Sequence, residues 1–386
     1  MTSANAVRDR LRDRPLPGEA EAAARSWPVV EAALAEHAPA TRTRSPRRAA
    51  ARLALVAALL AAGLAVALSP AGAAVGGWIG DRFTAHDTRS APAFAALPKG
   101  GSVLAISRMG AYAVRPDGST RRLGAFSEAG WSPRGLHVVG VEGRRLVAVD
   151  PAGTVKWTLT GRRAVHRPAW STADGFAVAY LEGRSLKVVA GNGDPTTDRV
   201  LRRDAAPVTP AWHPDSDRVL TYATTAGALV TLDAVTGRTI ARSPVAAPLD
   251  APRSLAWLPG GHRLVALTSH SLTVLDAAGA VRRTIPLPGV ARRLALHPSG
   301  ERAAVVVGRR VLGVRLSGGH PRQLFQGNVD GIAWSQDGRR LLLGWRDADQ
   351  WLLLGPGGRI RALHGVSREL GSAGGFPRVA GWCCAG

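Results

Sequence analysis

Two histidines are the first residues in this chain whose type and setting could do chemistry: they stand in Trp212-His213-Pro214 and Leu296-His297-Pro298. An imidazole can move a proton near neutral pH or ligate a metal. A metal needs three or four convergent ligands, and only a thiol such as that of Cys383 could join the two rings. No metal and no cofactor is therefore expected, and both His-Pro pairs read as turn residues, with His213 and His297 kept as candidates for a channel face. The only cysteines, Cys383 and Cys384, are adjacent. Neighbouring side chains point to opposite faces of a strand, which argues against an ordinary disulfide between them. Asp150, Asp233 and Asp276 precede Gly-containing turns, where a carboxylate accepts backbone N–H groups. Asn192-Gly193-Asp194 lacks the repeated acidic pattern of a calcium loop. No Gly-x-Ser-x-Gly nucleophile elbow occurs. No catalytic residue is assigned and no enzyme is expected; a hydrolase with its site in a ring channel stays as an alternative.

Both histidines occupy one place in a recurring phrase, which is complete at Ala333-Trp334-Ser335-Gln336-Asp337-Gly338. An apolar anchor ends one strand, a polar turn closes on Gly, and a second strand begins. The anchors are Trp131, Trp170, Trp212, Trp257, Leu296, Trp334 and Trp382, spaced 38 to 48 residues apart. A period near 40 with several short strands per unit is the mark of a β-propeller. Each large ring at a repeated inner position is expected to pack between blades. The residue after each anchor (Ser132, Ser171, His213, Leu258, His297, Ser335 and Cys383) is expected to line one face of the ring.

The two ends complete each other. Residues 100–124 hold a second, a third and an outer strand with no preceding anchor, whereas Arg378-Val379-Ala380-Gly381-Trp382 is an innermost strand with nothing after it. The expected fold is all-β: a seven-bladed propeller over residues 100–386, closed by pairing the C-terminal strand with the N-terminal blade, which hides the sheet edges.

The Trp-Ser-Pro-x-Gly phrase and its Asp-Gly variants resemble the WD40-like repeats of the TolB-type propeller family. The resemblance runs over residues 100–386 and is most specific at Trp131, Trp170, Trp212 and Trp334. It implies the propeller fold and a binding platform or sensor. No TolB-like N-terminal domain precedes the repeats, and a membrane anchor is a departure from that family.

What precedes the propeller reads as three segments. Residues 1–48 are polar, and within them 19–38 suit an amphipathic helix whose face carries Ala23, Trp27, Val30 and Leu34. Residues 49–79 follow an arginine cluster and carry a stretch free of charge from 53 to 79, long enough to span a bilayer with the N-terminus in the cytoplasm and the propeller outside. A signal peptide cleaved near Ala71-Gly72-Ala73, giving a secreted propeller, is the alternative, but the leader before the apolar run is far longer than such peptides carry. Residues 80–99 read as a linker.

Lys and Arg total 50 against 28 Asp and Glu, a formal net charge of +22. This favours anionic partners, although nearly all the basic residues are Arg in a chain rich in Ala and Gly, as a GC-rich genome produces. The Arg pairs, from Arg121-Arg122 to Arg339-Arg340, are spread round the ring and read as a solvated rim, the alternative being a belt facing anionic lipid or wall polymer. The expected function is a membrane-anchored, non-enzymatic platform binding a protein or small ligand at a propeller face; nucleic acid is not expected. The alternative is a transmembrane regulator whose layout resembles membrane-bound anti-sigma factors, with the propeller sensing an external signal and Trp27, Val30 and Leu34 holding a cytoplasmic protein. The zinc-binding His/Cys motif of that family is absent.

Overall fold

The computed structural model describes residues 101–243, 251–370 and 375–384, together with Phe94 and Leu97. They form seven four-stranded antiparallel sheets. In blades 2 to 7 the four strands are consecutive, and the innermost are Glu128–Trp131, Val165–Trp170, Ala211–Trp212, Ser254–Trp257, Ala291–Leu296 and Val329–Trp334. Blade 1 takes Ser102–Ser107, Gly110–Val114 and Thr120–Gly124 from the start of the repeats and its innermost strand, Arg378–Cys383, from the C-terminus. Each innermost strand touches those on either side, and Arg378–Cys383 touches both Val329–Trp334 and Glu128–Trp131, which closes the ring. The closing register sets Ser102 opposite Cys383, Val103 opposite Trp382 and Ile106 opposite Arg378.

The layers follow from the sequence. A strand covered by neighbouring blades on both faces reads as an unbroken apolar run. Val138–Glu142 and Arg145–Val149 are of this kind, each with four consecutive buried residues. The outer strand Val155–Thr160 alternates between exposed and half-buried positions, because only part of it is covered. The core accordingly lies between blades, in seven apolar clusters, and every cluster holds one anchor. Trp212, for example, packs with Leu181, Leu186 and Val188 of blade 3 and with Leu220 and Leu232 of its own blade.

The seam between blades 7 and 1 is built differently. Phe94 is fully buried there, 4.9 Å from the ring of Trp351, and Leu97 joins the same cluster. The end of the segment expected to be a linker is thus part of the core. A short helix, Val366–Glu369, lies between blade 7 and the closing strand and buries Val366 and Leu370 in this seam. It takes up the extra length of the longest repeat, and nothing in the strand pattern announced it. Among the described residues no helix is long and apolar enough to cross a membrane. The expected span within residues 49–79 and the helix face of Trp27, Val30 and Leu34 lie outside the described residues.

Candidate functional site

The turn after each anchor is a closed hydrogen-bond unit. In three blades its pivot is a buried serine: Ser132 Oγ accepts from the His137 N–H at 3.0 Å, Ser171 Oγ from Ala177 at 3.1 Å, and Ser335 Oγ from Arg340 at 2.9 Å. His213 and His297 use Nδ1 instead. It accepts from the Asp215 N–H at 3.3 Å in one blade and from the Ser299 N–H at 3.1 Å in the other. Each ring then faces a carbonyl of the next blade through Nε2: His213 meets Gly261 O at 3.1 Å, and His297 meets Gly338 O at 2.9 Å. An accepting Nδ1 and a donating Nε2 are met together by a single tautomer of the ring. Neither nitrogen is left for a metal or a proton transfer.

The same two glycines let the imidazoles approach. Gly261 and Gly338 have φ of +67° and +66°, and a Cβ there would come within 2.0 Å of His213 Nε2 or 2.5 Å of His297 Nε2. The next blade's anchor completes each contact, with ring centroids 4.9 Å apart for His213 and Trp257 and 4.8 Å for His297 and Trp334. The structure therefore seats the two histidines in separate interblade clamps and does not bring them together. Among the described residues no group of three or more His, Cys, Asp or Glu could hold a metal.

The anchors themselves reach back to the preceding blade. Trp212 Nε1–H donates to Ala169 O at 3.0 Å, Trp257 Nε1–H to Thr221 Oγ1 at 3.2 Å, and Trp334 Nε1–H to Ala295 O at 3.3 Å. Trp131, Trp170 and Trp382 are packed in their clusters without an acceptor for the indole N–H among the described residues.

Cys383 and Cys384 form a disulfide, contrary to the expectation from strand alternation. Alternation holds only while the strand lasts. It ends at Cys383, and Cys384 turns away with φ of +52°, which brings the two sulfurs to one side. Both sit against the first turn of blade 2, with Cys384 Sγ 3.0 Å from Pro133 O and Cys383 Sγ 3.6 Å from Ser132 O. Cys383 thus meets the next blade at the place where His213 and His297 meet theirs, but by contact alone, since a disulfide sulfur has no hydrogen to donate.

The aspartates that precede turns behave as expected. Asp150 Oδ1 accepts from Ala152 and Thr154, both at 2.9 Å, and Asp233 Oδ1 accepts from Val235 at 2.8 Å and Thr236 at 2.7 Å. Backbone N–H donation, led by Thr154 for Asp150 and by Thr236 for Asp233, holds both carboxyls below their usual range, Asp150 at about 2. Asp194 accepts from the Thr196 N–H at 2.9 Å and caps a short 3₁₀ turn, so that stretch is also a turn. Open clefts lie on this face among the described residues. One of about 740 Å³ is lined by Arg339, Arg340, Pro356 and Arg361; one of about 450 Å³ is lined by Pro133, Trp157, Trp170 and Phe176, whose ring is 72 % exposed.

At the opposite ends of the innermost strands the structure assembles a group the sequence reading did not single out. Glu128, Arg293 and Arg378 stand opposite the last-but-one residue of the second strand of their blades (Val141, Val306 and Ile106). Asp330 falls inside a bulge at the same level of blade 7, and Arg167 inside a bulge of blade 3 one residue further along, just past His166, which stands opposite Leu181. A bulge re-aims a side chain without moving the rest of the strand, and Arg167 is a non-glycine residue with φ of +56°. The two carboxylates are already engaged. Glu128 Oε2 accepts from the Arg167 backbone N–H at 2.6 Å, and Asp330 Oδ2 accepts from Arg346 Nε at 2.6 Å and Nη2 at 2.5 Å. The only signal in the sequence was that these charged residues interrupt otherwise apolar or small first strands.

One more cluster was missed. Lys187, 9 % exposed, lies 2.5 Å from Asp198 and 3.2 Å from Glu182, while Tyr180 OH donates to Asp198 at 2.7 Å. Burial first, and then Asp198, push the Tyr180 hydroxyl well above its ordinary value. Every group is partnered, as a structural ion cluster requires.

No family model matches the chain, and no curated protein matches it either. Among solved structures, the Cps50 (Swd1) β-propeller domain of Myceliophteria thermophila is similar at a TM-score of 0.53 and 17 % identity, over 62 % of this chain and 86 % of that one. Hydrazine synthase of Kuenenia stuttgartiensis is similar at 0.47 and 18 %, over 60 % of this chain and 76 % of that one. The first likeness is one of fold alone. With the seven closed sheets it identifies a seven-bladed, WD40-like β-propeller.

Proposed function

We propose that this chain is a non-enzymatic binding platform, held in a membrane by residues 49–79, with the tail 1–48 in the cytoplasm and the propeller outside. A propeller is consistent with a protein-binding platform. The observation that carries the reading is the state of the histidines: His213 and His297, the candidates for chemistry at the turn face, have both ring nitrogens tied into interblade contacts. The open clefts beside Phe176 and Arg339 supply surface for a protein or a small ligand. The repeat phrase supports a WD40-like repeat of the TolB type. The arginines ahead of the uncharged stretch support the orientation.

Protease treatment of intact cells stripped of their outer layers tests the reading, combined with alkaline extraction of their membranes. The full chain is expected to stay with the membrane and to lose its propeller to added protease. A protected propeller, or a chain released by alkaline extraction, would overturn the topology. A hydrolytic activity of the purified chain abolished by His213→Gln or His297→Gln would overturn the non-enzymatic assignment.

The regulator reading keeps one specific support, the helical face of Trp27, Val30 and Leu34 on the predicted cytoplasmic side. Residues 1–48 used as bait should retain a cytoplasmic protein that Trp27→Ala releases. Retention that Trp27→Ala leaves unchanged counts against it.

A further inference from the structure

We propose that the mouth of the central channel, at the starting ends of the innermost strands, binds an oxyanion, the phosphate or carboxylate group of a ligand, through Arg293 and Arg378 with Arg167 beside them. The proposal deepens the platform reading by naming the chemistry of what the ring holds. It rests on that reading only in requiring a ligand, and it does not depend on the membrane anchor.

Placement comes first. Arg378 and Arg293 belong to blades 1 and 6, yet they stand at one level of the ring of innermost strands, and Arg167 of blade 3 lies one residue further along. The geometry that puts them there is irregular: the pairing slips within two residues of each of them, between Leu104 and Ala105 (at Ala380), between His166 and Ala169, and between Ala291 and Arg293. In blades 2, 4 and 5 the innermost pairing runs without a slip.

The second observation is the lack of acceptors. Arg167 Nε donates to Pro207 O at 3.1 Å, and its Nη1 stands 3.9 Å from Glu128. Arg293 has only two long contacts to carbonyls, at 3.4 Å from Nε to Asp330 O and from Nη1 to Arg292 O. Among the described residues the Arg378 guanidinium has no hydrogen bond or ion pair. The nearby carboxylates are engaged elsewhere, Asp330 with Arg346 and Glu128 with the Arg167 backbone N–H, and among the described residues neither pairs with Arg293 or Arg378. A guanidinium presents five donors in a planar fork that matches a carboxylate or phosphate. Like charges brought together without acceptors disfavour their own charged state. Burial, followed by Arg293 and Arg167, pushes Arg378 below its ordinary value, and Glu128 and Asp330 offset only part of this. Arg293 is lowered in the same direction, by burial first. Its side chain is exposed to water. A bound oxyanion would supply the missing acceptors and the missing negative charge.

Calorimetric titration of the full chain, in nonionic detergent at low salt, tests this with two probes: inorganic pyrophosphate and a tetraglutamate peptide. Saturable binding of either is expected, weakened about tenfold or more by Arg293→Gln and by Arg378→Gln. Arg162→Gln and Arg309→Gln, arginines on connections at the same end of the ring, should leave it unchanged. Binding of pyrophosphate alone assigns a free phosphate; binding of the peptide alone assigns a carboxylate-bearing segment. Failure of both probes, or equal loss in the two control variants, overturns the site while leaving the topology test untouched. A thermal melt without probe guards against misfolding: Arg378→Gln is expected to melt no lower than the parent chain, because a charge without acceptors is removed. A clearly lower melting point would show that Arg378 is a structural ion partner, and would also overturn the proposal.

Discussion

The innermost strands end in one kind of chemistry and begin in another. At their ends, an anchor packs back into the preceding blade, and the residue after it closes a turn or reaches the next blade; the donors and acceptors of the turn meet within the protein. At their starts, in five of the seven blades, a charged residue stands at or within one residue of one level of the ring, three of them guanidinium groups with few acceptors. The first arrangement recurs with the sequence repeat because every pair of blades needs the same joint. The second breaks the repeat, and the backbone breaks with it at the bulges. In a fold built from copies, positions that follow the period hold the ring together, and positions that depart from it are released for something else.

Removing both chemistries in one blade should have the largest effect. Deleting residues 376–386 takes away the closing strand, exposes the edge of Ser102–Ser107 and removes Trp382 from the seam. The expected outcome in a thermal melt is loss of the cooperative transition, or a fall in Tm of more than about 10 °C. An unchanged melt would refute closure by strand pairing. Single substitutions then separate the two ends. Trp212→Ala leaves a cavity between blades 3 and 4 and should cost about 3–5 kcal/mol in denaturant unfolding. Arg293→Gln, at the other end of such a strand, should change stability by less than about 0.5 kcal/mol. Equal losses would erase the distinction between the ends.

Not every charge outside the anchor turns lacks a partner, and the ion cluster of blade 3 sharpens the point. Lys187 is buried with two carboxylates and a tyrosine that satisfy it. Lys187→Met leaves the mostly covered Asp198 and Glu182 without their cation, with only Tyr180 OH and the Arg163 N–H still donating to them, and should destabilise by about 2–3 kcal/mol. The pH dependence has a definite sign. Burial opposes the charged form of Glu182, but the Arg163 N–H and Lys187 outweigh it and hold the carboxyl below its usual 4.5. A folded-state value that is lowered contributes stability above the unfolded value and loses it as pH falls through the folded one. Stability of the parent chain should therefore drop as pH is taken below 4.5, and the part due to this pair should be missing from Lys187→Met. Removing Lys187, which is compensated, and Arg378, which is not, should thus have opposite consequences for stability.

The ring was legible in the sequence because its determinants are periodic. The Trp-Ser-Pro phrase marks where one strand ends and the next begins, the bare start at residue 100 and the lone strand at Trp382 fix the closure, and the apolar runs mark the double-faced middle strands. What stayed hidden depends on departures from period. Arg167 and Asp330 are ordinary charged residues until a bulge turns them, and a bulge has no residue signature here. The Cys383–Cys384 disulfide depends on where the strand stops, a matter of one residue's φ. Phe94 was hidden in a Pro- and Ala-bearing segment, and its core role depends on Trp351, more than 250 residues away.

A milder loss than that of Trp212→Ala isolates the interblade half of a histidine clamp. In three blades a serine occupies the place of His297 and accepts the N–H five or six residues further on, so His297→Ser exchanges the Ser299 N–H bond of the imidazole for a turn bond of that kind. It loses the Nε2–H bond to Gly338 O and the ring contact with Trp334. A neutral hydrogen bond of this kind contributes about 1 kcal/mol, and the edge-to-face contact about as much again. The loss should fall between about 1 and 2 kcal/mol in denaturant unfolding, well short of that for Trp212→Ala. The further substitution Gly338→Ala should cost less in the His297→Ser background than in the parent chain, because the ring that its Cβ would strike is gone. If the two substitutions add without coupling, the imidazole is not what joins blades 6 and 7 at this turn.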